Sequence, residues 1–217
     1  IYYKIVGQGT EALSQRKPGE ALPIMGPIGR PFALDAHRRY LLLGGGVGLP
    51  PEWFAAKRLA AMGAAAVLFA GNEAPLPFAT RPSTFLLPGV PEDAWLTFEA
   101  LEEIGIPARI ASRAEIPGAF FGFVTELAER WLAAIADDFR ERTEILACGP
   151  EPMLAAAQKL ARAFALPAQL ALEARMACAI GGCAGCVVRT RENGRAFYRR
   201  VCVDGPVFPA EIVAEWD

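Results

Sequence analysis

Four cysteines near the C-terminus have a spacing that suits metal chemistry. Cys178, Cys183, Cys186 and Cys202 follow the pattern C-x4-C-x2-C-x15-C. A plant-type [2Fe–2S] cluster takes three thiolates from one irregular loop and a fourth from a more distant segment. The glycines between the first three cysteines let the backbone wrap closely around the sulfurs, because glycine adopts backbone angles that other residues resist. The spacing therefore predicts an iron–sulfur cluster, which accepts and releases single electrons.

Zinc is the main alternative occupant, because four thiolates also bind that metal. Zinc sites favour paired C-x2-C knuckles, so the spacing favours the cluster. The fifth cysteine, Cys148, stands apart and by itself is typical of a buried core thiol. The crowding of the other four favours ligand thiols in a reducing cytoplasm over the disulfides of a secreted protein. We therefore expect a cytoplasmic protein.

The composition indicates a soluble globular protein. Of 217 residues, 53% are hydrophobic and 21% are charged, with a formal net charge of −2. The arginines are scattered along the chain, so the sequence does not predict a partner made of nucleic acid. No apolar run approaches the roughly 18–20 residues that a bilayer-crossing helix needs. The sequence therefore predicts no membrane association.

Two turns indicate a nicotinamide-nucleotide site. The first has four glycines between a predicted strand and a predicted helix: Gly44, Gly45, Gly46 and Gly48. A phosphate approaches such a backbone closely, and the helix N-terminus attracts its negative charge. The second, Cys148-Gly149-Pro150, also lies where a predicted strand leads into a helix. Ligands of open α/β sheets bind at the carboxyl ends of strands, so the two turns together predict the nucleotide, although either alone could be an ordinary turn.

Two further segments have weaker signals. Asn72 and Glu73 follow the second predicted strand, where a ribose-hydroxyl acceptor could lie, and an exposed turn is an equal interpretation. No basic pair follows that strand, which favours NAD over NADP. The run 7–10 could present N–H groups and the Thr10 hydroxyl to a phosphate, with Lys4 as a counter-charge. A hairpin turn with a solvated lysine is the simpler interpretation there.

The two predicted redox centres require a third between them. NAD(P)H gives up two electrons together as hydride, whereas an iron–sulfur cluster accepts one electron at a time. A flavin takes up hydride and releases electrons singly, so a chain with both other centres is expected to work with a flavin.

The elements that must position these groups fall into three parts. Residues 1–36 have short apolar stretches broken by glycine and proline, which is typical of antiparallel β-structure with tight turns rather than helix. Residues 37–166 alternate predicted strands and helices, which indicates an α/β fold with a doubly wound parallel sheet. Residues 167–217 contain a strand, the cysteine loop and two short strands.

The predicted strands of the second and third parts are 40–43, 66–69, 108–111, 144–147, 169–172, 187–190 and 197–203. The predicted helices are 52–62, 95–104, 124–136 and 152–164. Both patterns follow from hydrophobic periodicity and from the glycines and prolines that separate the segments.

The motifs together resemble the electron-transfer (iron–sulfur flavoprotein) subunit of B-type dihydroorotate dehydrogenase, within the ferredoxin-reductase-like superfamily. The matching segments occur in the family's order and cover essentially the whole chain: 44–51, 122–125, 148–150, 172–188 and 200–208. The cysteine loop is the most specific of these, because the glycine turns are shared across the superfamily.

The resemblance implies three domains. Residues 1–36 are the C-terminal part of an FAD-binding barrel whose N-terminal part is absent, 37–166 bind NAD, and 167–217 bind the [2Fe–2S] cluster. It also implies that FAD is contacted by the segments that contain Tyr2, Tyr3, Lys4, Gly9 and Thr10. The family's Arg-Pro-x-Ser flavin motif is missing upstream of residue 7. The similar run 81–84 lies in the wrong domain, so we interpret it as an ordinary loop.

The implied pathway runs from dihydroorotate to FMN on a separate catalytic subunit, and then through the cluster and FAD to NAD+, as a step of pyrimidine biosynthesis. The implied partner is that FMN-containing subunit, in a heterotetramer. No catalytic base is expected in this chain, since the oxidation of dihydroorotate belongs to the partner. One alternative is a flavin and iron–sulfur subunit of a ferredoxin:NADP or sulfide oxidoreductase, in which one cluster ligand is often Asp. Another is a non-catalytic nucleotide-binding redox sensor.

Overall fold

The structure is a computed structural model that describes residues 2–73, 75–214 and 216. Its strands are β1 (Arg39–Gly45), β2 (Ala65–Gly71), β3 (Thr80–Pro82), β4 (Leu96–Phe98), β5 (Ala108–Ser112), β6 (Phe120–Phe121), β7 (Thr143–Cys148), β8 (Ala168–Ala171), β9 (Val187–Glu192), β10 (Arg195–Arg200) and β11 (Val207–Pro209). Its helices are α1 (Gln8–Ser14), α2 (Leu49–Ala61), α3 (Glu99–Glu103), α4 (Val124–Ala134), α5 (Asp137–Arg140) and α6 (Glu151–Ala163), with 3-10 turns at Gly46–Gly48 and Ala210–Ile212. Among these described residues, no helix is both long enough and apolar enough to cross a membrane.

Seven strands form one sheet in the order β11-β8-β7-β1-β2-β5-β6. Every neighbouring pair is parallel except β11 and β8. Strands buried on both faces have nearly continuous apolar sequences, and Tyr40–Leu43 of β1 is such a run. The predicted α/β class with a doubly wound parallel sheet is confirmed.

Helices cover both faces of this sheet. Along β1, Leu41 and Leu43 point to the core formed with α4 and α6, because successive side chains of a strand alternate between faces. Tyr40 and Leu42 point to the other core, formed with α2 and α3. The sheet is therefore rigidly held from both sides, and its carboxyl edge forms a fixed platform.

The N-terminal part differs from the prediction of strands without helix. Gln8–Ser14 is helical, and residues 2–38 contain no strand beyond an isolated bridge between Arg30 and Pro206. The Thr10 hydroxyl accepts hydrogen bonds from the backbone N–H groups of Val6 (2.9 Å) and Gly7 (3.2 Å), which stabilises the first turn of α1. Strands need neighbours to satisfy their backbone groups, and residues 2–36 make no antiparallel pairing with one another.

Two other boundaries also differ. The predicted helix 95–104 begins only at Glu99, because Leu96–Phe98 pairs with β3 and buries Phe98 against Trp53 and Phe78. The predicted strand 197–203 ends at Arg200, where the Asp204 carboxylate accepts a hydrogen bond from the Arg200 N–H (2.8 Å) and closes a turn.

The N-terminal part and the cysteine segment are tied to the same edge of the sheet. The Gln169 side chain in β8 accepts a hydrogen bond from the backbone N–H of Ala33 (2.9 Å) and donates one to the Ala33 carbonyl (2.8 Å). The Arg30 N–H donates to the carbonyl of Gly205 (2.5 Å). Val188 of β9 and Val201, which directly follows β10, lie in the same core cluster as Leu170 of β8.

Candidate functional site: a nucleotide cleft and a cysteine loop

The two predicted nucleotide turns lie side by side at the carboxyl edge of the sheet. The register of β1 and β7 places Gly44 opposite Cys148. A Cβ atom on Gly48 would lie 2.2 Å from the carbonyl oxygen of Cys148, and one on Gly45 would lie 2.5 Å from the Sδ of Met153. Gly48 is therefore required because the two turns touch, and Gly45 because Pro150 and Met153 of α6 pack closely against it.

A cleft of about 790 Å³ opens over these turns, a volume that suits a small-molecule ligand. It is lined by the glycine turn, by the ends of β2 and β5, by the start of α4 and α6, and by the N-terminal segment. The predicted cofactor-binding residues that line it are Tyr2, Tyr3, Lys4, Gly45, Gly46 and Pro150.

The other predicted cofactor residues do not line this cleft. Gly44, Gly48, Cys148 and Gly149 form the packed backbone beneath it. Gly9 and Thr10 belong to α1, and the Thr10 hydroxyl is occupied by its own backbone as described above. Within the described residues, the structure therefore brings together six of the twelve residues predicted for FAD or NAD.

Several lining residues were not among the predicted site residues. The end of β5 adds Ser112 and Arg113, and the segment after β6 adds Gly122 and Phe123. The Glu126 carboxylate accepts a hydrogen bond from the Phe123 N–H (2.8 Å), which shapes the start of α4. The sequence could have predicted Arg113 as a lining residue, because it lies just after the predicted strand 108–111 and ligands bind at strand ends.

Two titratable groups lie beneath the glycine turn. Glu52 is fully buried in α2, and neither of its carboxylate oxygens has a hydrogen-bond partner among the described residues. Burial raises the pKa of Glu52 well above its ordinary value. Burial, together with the charges of Glu52 and Glu173, raises the pKa of Cys148 to about 12. Cys148 is therefore a neutral thiol at physiological pH and is not suited to act as a nucleophile.

The cysteine loop directs backbone N–H groups at sulfur. The Cys183 N–H approaches the Sγ of Cys178 at 3.4 Å, and the Gly185 N–H approaches the Sγ of Cys183 at 3.4 Å. Backbone hydrogen bonds from Ile180, Cys183 and Gly182 lower the pKa of Cys178 to about 6. Since metals bind the thiolate, the loop favours the ligand form of this side chain.

The four thiols form two pairs. Cys178 is hydrogen-bonded to Cys183, and Cys186 to Cys202. Cys186 and Cys202 are buried, whereas Cys183 is exposed. Among the described residues, no three Cys, His, Asp or Glu side chains converge as they would around one metal ion. The C-x4-C-x2-C-x15-C spacing, rather than the positions of the free thiols, favours a two-iron cluster over the single tetrahedral ion of a zinc site.

The run Arg81-Pro82-Ser83-Thr84 has a structural role. The Glu102 carboxylate accepts hydrogen bonds from the Ser83 hydroxyl (3.0 Å) and from the Thr84 hydroxyl (2.7 Å) and N–H (2.5 Å). The side chains that a flavin motif would present to a ligand are thus engaged with α3.

Comparisons with known proteins agree with this geometry. Residues 173–214 match the model of the iron–sulfur cluster binding domain of dihydroorotate dehydrogenase B. The chain is 35% identical over 213 residues to the dihydroorotate dehydrogenase B (NAD(+)) electron transfer subunit of Caldanaerobacter subterraneus subsp. tengcongensis, covering 98% of this chain and 74% of that relative. It is 36% identical to the subunit of the same name from Geobacillus thermodenitrificans, covering 97% and 72%. Among solved structures, a chain of the NADH-dependent reduced ferredoxin-NADP oxidoreductase superposes with a TM-score of 0.72 at 27% identity, covering 98% of this chain and 67% of that one.

Proposed function

Because the chain belongs to the family of the electron transfer subunits of dihydroorotate dehydrogenase B, we propose that it passes electrons from a dihydroorotate-oxidising partner to NAD+ in pyrimidine biosynthesis. It is an oxidoreductase subunit that works with a [2Fe–2S] cluster, FAD and NAD. One observation carries the proposal: one sheet holds a nucleotide cleft at its carboxyl edge, and Cys186 and Cys202 lie in the core cluster that contains Leu170 of β8.

The residues that would hold each group follow from their positions. Cys178, Cys183, Cys186 and Cys202 would hold the cluster, which supplies a one-electron carrier. The 44–48 and 148–150 turns would hold the nicotinamide nucleotide, with Gly45, Gly46 and Pro150 in contact with it. Tyr2, Tyr3 and Lys4 line the same cleft and would contact FAD, and Gly9 and Thr10 would contribute through α1.

The surface around the cysteine loop supports a partner chain. Cys183 is exposed, so electrons have a short route out of the protein. Large apolar side chains are exposed on the loop and on the β9–β10 hairpin: Met176, Ile180, Val187, Phe197 and Tyr198. Exposed apolar groups of this kind mark protein interfaces. We propose that this face meets an FMN-containing catalytic subunit, within a heterotetramer.

We also propose the three-part division into 1–36, 37–166 and 167–217. β8 pairs with β7 in the parallel sheet, and the match to the cluster-binding model begins at residue 173. With the boundary at 167, the last part contributes β8 and β11 to one end of the shared sheet, and the segment that matches the cluster-binding model lies wholly within this part.

Reconstitution with the partner tests the function. The chain, co-expressed with an FMN-containing dihydroorotate-oxidising subunit, is expected to co-purify with it and to reduce NAD+ when dihydroorotate is added. The control is the same complex with Cys202→Ala, which should still oxidise dihydroorotate with an artificial dye but should not reduce NAD+. Absence of any stable complex would contradict the proposal.

The likeness to the ferredoxin-NADP oxidoreductase chain supports a second candidate, an electron-transfer subunit that works with a ferredoxin. Four cysteine ligands argue against it, since one ligand is often Asp in that group. Electron transfer from reduced ferredoxin, but not from the dihydroorotate-oxidising subunit, would favour this candidate. Sustained NADH oxidation with an artificial acceptor, once flavin is supplied, would exclude a sensor without turnover.

A further inference from the structure

One arginine joins the cysteine loop to the strand that leads to the fourth ligand. Arg200 ends β10 and stands two residues before Cys202. Its guanidinium donates a hydrogen bond (3.0 Å) to the carbonyl of Gly181, which lies in the loop between Cys178 and Cys183. This side chain therefore helps to fix the two segments that carry the four thiols to each other.

The bonded carbonyl belongs to a peptide group that also faces a sulfur. The Gly181 carbonyl and the Gly182 N–H share one planar peptide unit, and this N–H is hydrogen-bonded to the thiol of Cys178. Hydrogen bonds in a chain polarise one another, so a cation at the carbonyl makes the N–H a stronger donor to sulfur. On its other side, the Gly181 N–H is hydrogen-bonded to Cys202. Arg200 thus holds a segment that is bonded to one thiol of each pair.

The guanidinium is seated directly on the loop backbone. Gly181 has a φ of +84°, in the left-handed region that favours glycine. A Cβ atom there would lie 3.3 Å from a guanidinium nitrogen of Arg200 and 3.2 Å from both methyl carbons of Val203. The absence of a side chain at Gly181 lets the cation approach the loop this closely.

Asp204 holds the cation in place and partly balances its charge. Its carboxylate lies 3.3 Å from the Arg200 Nε and accepts the hydrogen bond from the Arg200 N–H described above. Both side chains of this pair are partly exposed, so water screens the carboxylate as well as the cation. The neighbouring cation, Arg199, is paired with Glu192 of β9. Arg200 is therefore the cation that the hydrogen bonds place against the loop.

A cation at this position matters because an iron–sulfur cluster gains one negative charge when it takes up an electron. The reduction potential of such a cluster depends on net charge and on hydrogen bonds to its sulfurs. A fixed cation and a stronger N–H to sulfur bond both stabilise the reduced form more than the oxidised form, because the reduced form is more negative. The guanidinium keeps its charge throughout the physiological pH range, so this contribution does not vary with pH.

We propose that Arg200 is a positioning residue that raises the reduction potential of the cluster, through its charge and through the Gly181–Gly182 peptide group. Asp204 moderates the effect. Each electron comes from the flavin of the catalytic partner, which is oxidised by one electron, and leaves for the flavin of this chain, which is reduced by one. The inference rests on the proposed function and deepens it by naming a residue that sets how readily the cluster accepts an electron.

A redox titration of the full chain with its cluster in place measures this effect, with the reduced cluster followed by electron paramagnetic resonance. Arg200→Gln should shift the ratio of reduced to oxidised cluster at a fixed potential about three- to tenfold toward the oxidised form. This is a decrease of roughly 30–60 mV in midpoint potential, since a tenfold change is about 59 mV for a one-electron couple. Arg200→Lys keeps a cation and should restore part of the decrease.

Asp204→Asn tests the same charge from the other side. It removes the negative charge that balances Arg200, whereas its side-chain oxygen can still accept the hydrogen bond from the Arg200 N–H. The ratio should shift about twofold or more toward the reduced form, which is an increase in midpoint potential. A pair with a purely structural role would not move the potential in opposite directions in the two variants.

Arg195→Gln is the matched control. Arg195 is an exposed cation at the other end of β10, five residues from Arg200 and therefore roughly 17 Å away along the strand. The Debye length at physiological ionic strength is about 8 Å, so this variant should leave the midpoint potential unchanged. An unchanged potential in Arg200→Gln, or an equal decrease in Arg195→Gln, would overturn the proposal.

Loss of the cluster from Arg200→Gln would leave the decision to Asp204→Asn. A higher potential in that variant supports the proposal, and an unchanged or lower one overturns it. Either negative result would leave the proposed electron transfer intact, because the wild-type chain would still hold a cluster that is reduced and reoxidised. A wild-type chain without iron and acid-labile sulfide would instead refute the cluster site itself, together with the role of Arg200.

Discussion

The nucleotide turns and the cysteine loop are both glycine-rich, but they are held in different ways. In the turns, Gly45 and Gly48 are enclosed by neighbouring backbone and side chains, and a Cβ atom on either would clash. In the loop, Gly182 has open space around it, and a Cβ on Gly185 would be in ordinary contact with the Sγ of Cys183. The first site is formed by the packing of the fold, whereas the second is completed by what its sulfurs bind.

This difference has consequences for stability. A site built from packed strand ends persists without its ligand, because the core that shapes it is already in place. The cysteine loop is held by N–H to sulfur contacts, by the Arg200 to Gly181 hydrogen bond and by the Val201 N–H to the Cys186 carbonyl (2.8 Å). We expect a bound cluster to add to its order, since metal binding couples to folding. We therefore expect mutations in the turns to lower global stability and mutations in the loop to remove the cofactor.

The largest expected effect is on the cluster. Cys202→Ala should remove the cluster's share of the visible absorption and almost all of the acid-labile sulfide, because a two-iron cluster needs all four thiolates. Cys148→Ala should keep both signals, since Cys148 lies beneath the nucleotide turn. Ultraviolet–visible spectroscopy with iron and sulfide analysis provides the measurement. The exposed ligand Cys183, changed to Ala, repeats the test at a position where folding is less at risk.

Zinc without sulfide in the wild-type protein would contradict the cluster assignment. Loss of the absorption in Cys148→Ala would contradict the division between the two sites.

The next effect is on the fold. Gly48→Ala should lower the free energy of unfolding by about 3 kcal/mol, because its Cβ would meet the Cys148 carbonyl at 2.2 Å and neither backbone can move easily. Gly48 has ordinary backbone angles (φ −82°, ψ −4°), so the cost arises entirely from this close approach. For a chain of this size the unfolding midpoint should fall by roughly 6–12 °C.

Gly9→Ala in α1 is the matched control. No atom lies within 4 Å of the position that a methyl group on Gly9 would take, and alanine favours helix, so no loss of stability is expected. Thermal unfolding followed by circular dichroism compares the two variants. An equal decrease in both midpoints would show that the turn is not held by packing.

The same contrast explains how far the sequence could predict the structure. The strands β1, β2, β5 and β7 were predicted because parallel strands buried on both faces have unbroken apolar runs. The glycine turn was recognisable because it stands between such a strand and a helix. The cysteine spacing also carried its information locally, within 178–202, and residues 173–214 match an iron–sulfur cluster binding domain.

The features that the sequence did not predict depend on local hydrogen bonds and tertiary contacts that hydrophobic periodicity does not show. Gln8–Ser14 lies in a part that was predicted as antiparallel β-structure with a tight turn at 7–10. None of its seven residues is buried, so the periodicity is weak, and local hydrogen bonds to the Thr10 hydroxyl decide the conformation. Leu96–Phe98 has the composition of a helix start and becomes a strand because β3 pairs with it. Arg113 was missed because it reaches the cleft only through the strand order, which places β5 next to β2.

The smallest expected effect concerns Glu52, the buried carboxyl beneath the packed turn. Its raised pKa means that the folded state keeps its proton at a pH where the unfolded chain, with the ordinary value of 4.5, has lost it. Folding stability should therefore decrease as the pH rises above about 4.5, by up to about 1.4 kcal/mol per pH unit, until Glu52 ionises in the folded state too. Glu52→Gln removes the titrating group and should make folding stability less dependent on pH in this range.

Urea unfolding at about pH 5 and about pH 6 measures the slope of stability against pH, and Glu99→Gln on the exposed face of α3 is the control that should keep the wild-type slope. Other carboxyls contribute to the absolute slope, so the difference between the two variants carries the result. If Glu52→Gln and Glu99→Gln gave the same slope, Glu52 would have to be ionised in the folded protein. An ionised Glu52 beneath the turn would need a compensating group. The stability of the nucleotide site would then depend on what it binds, as we expect for the cysteine loop.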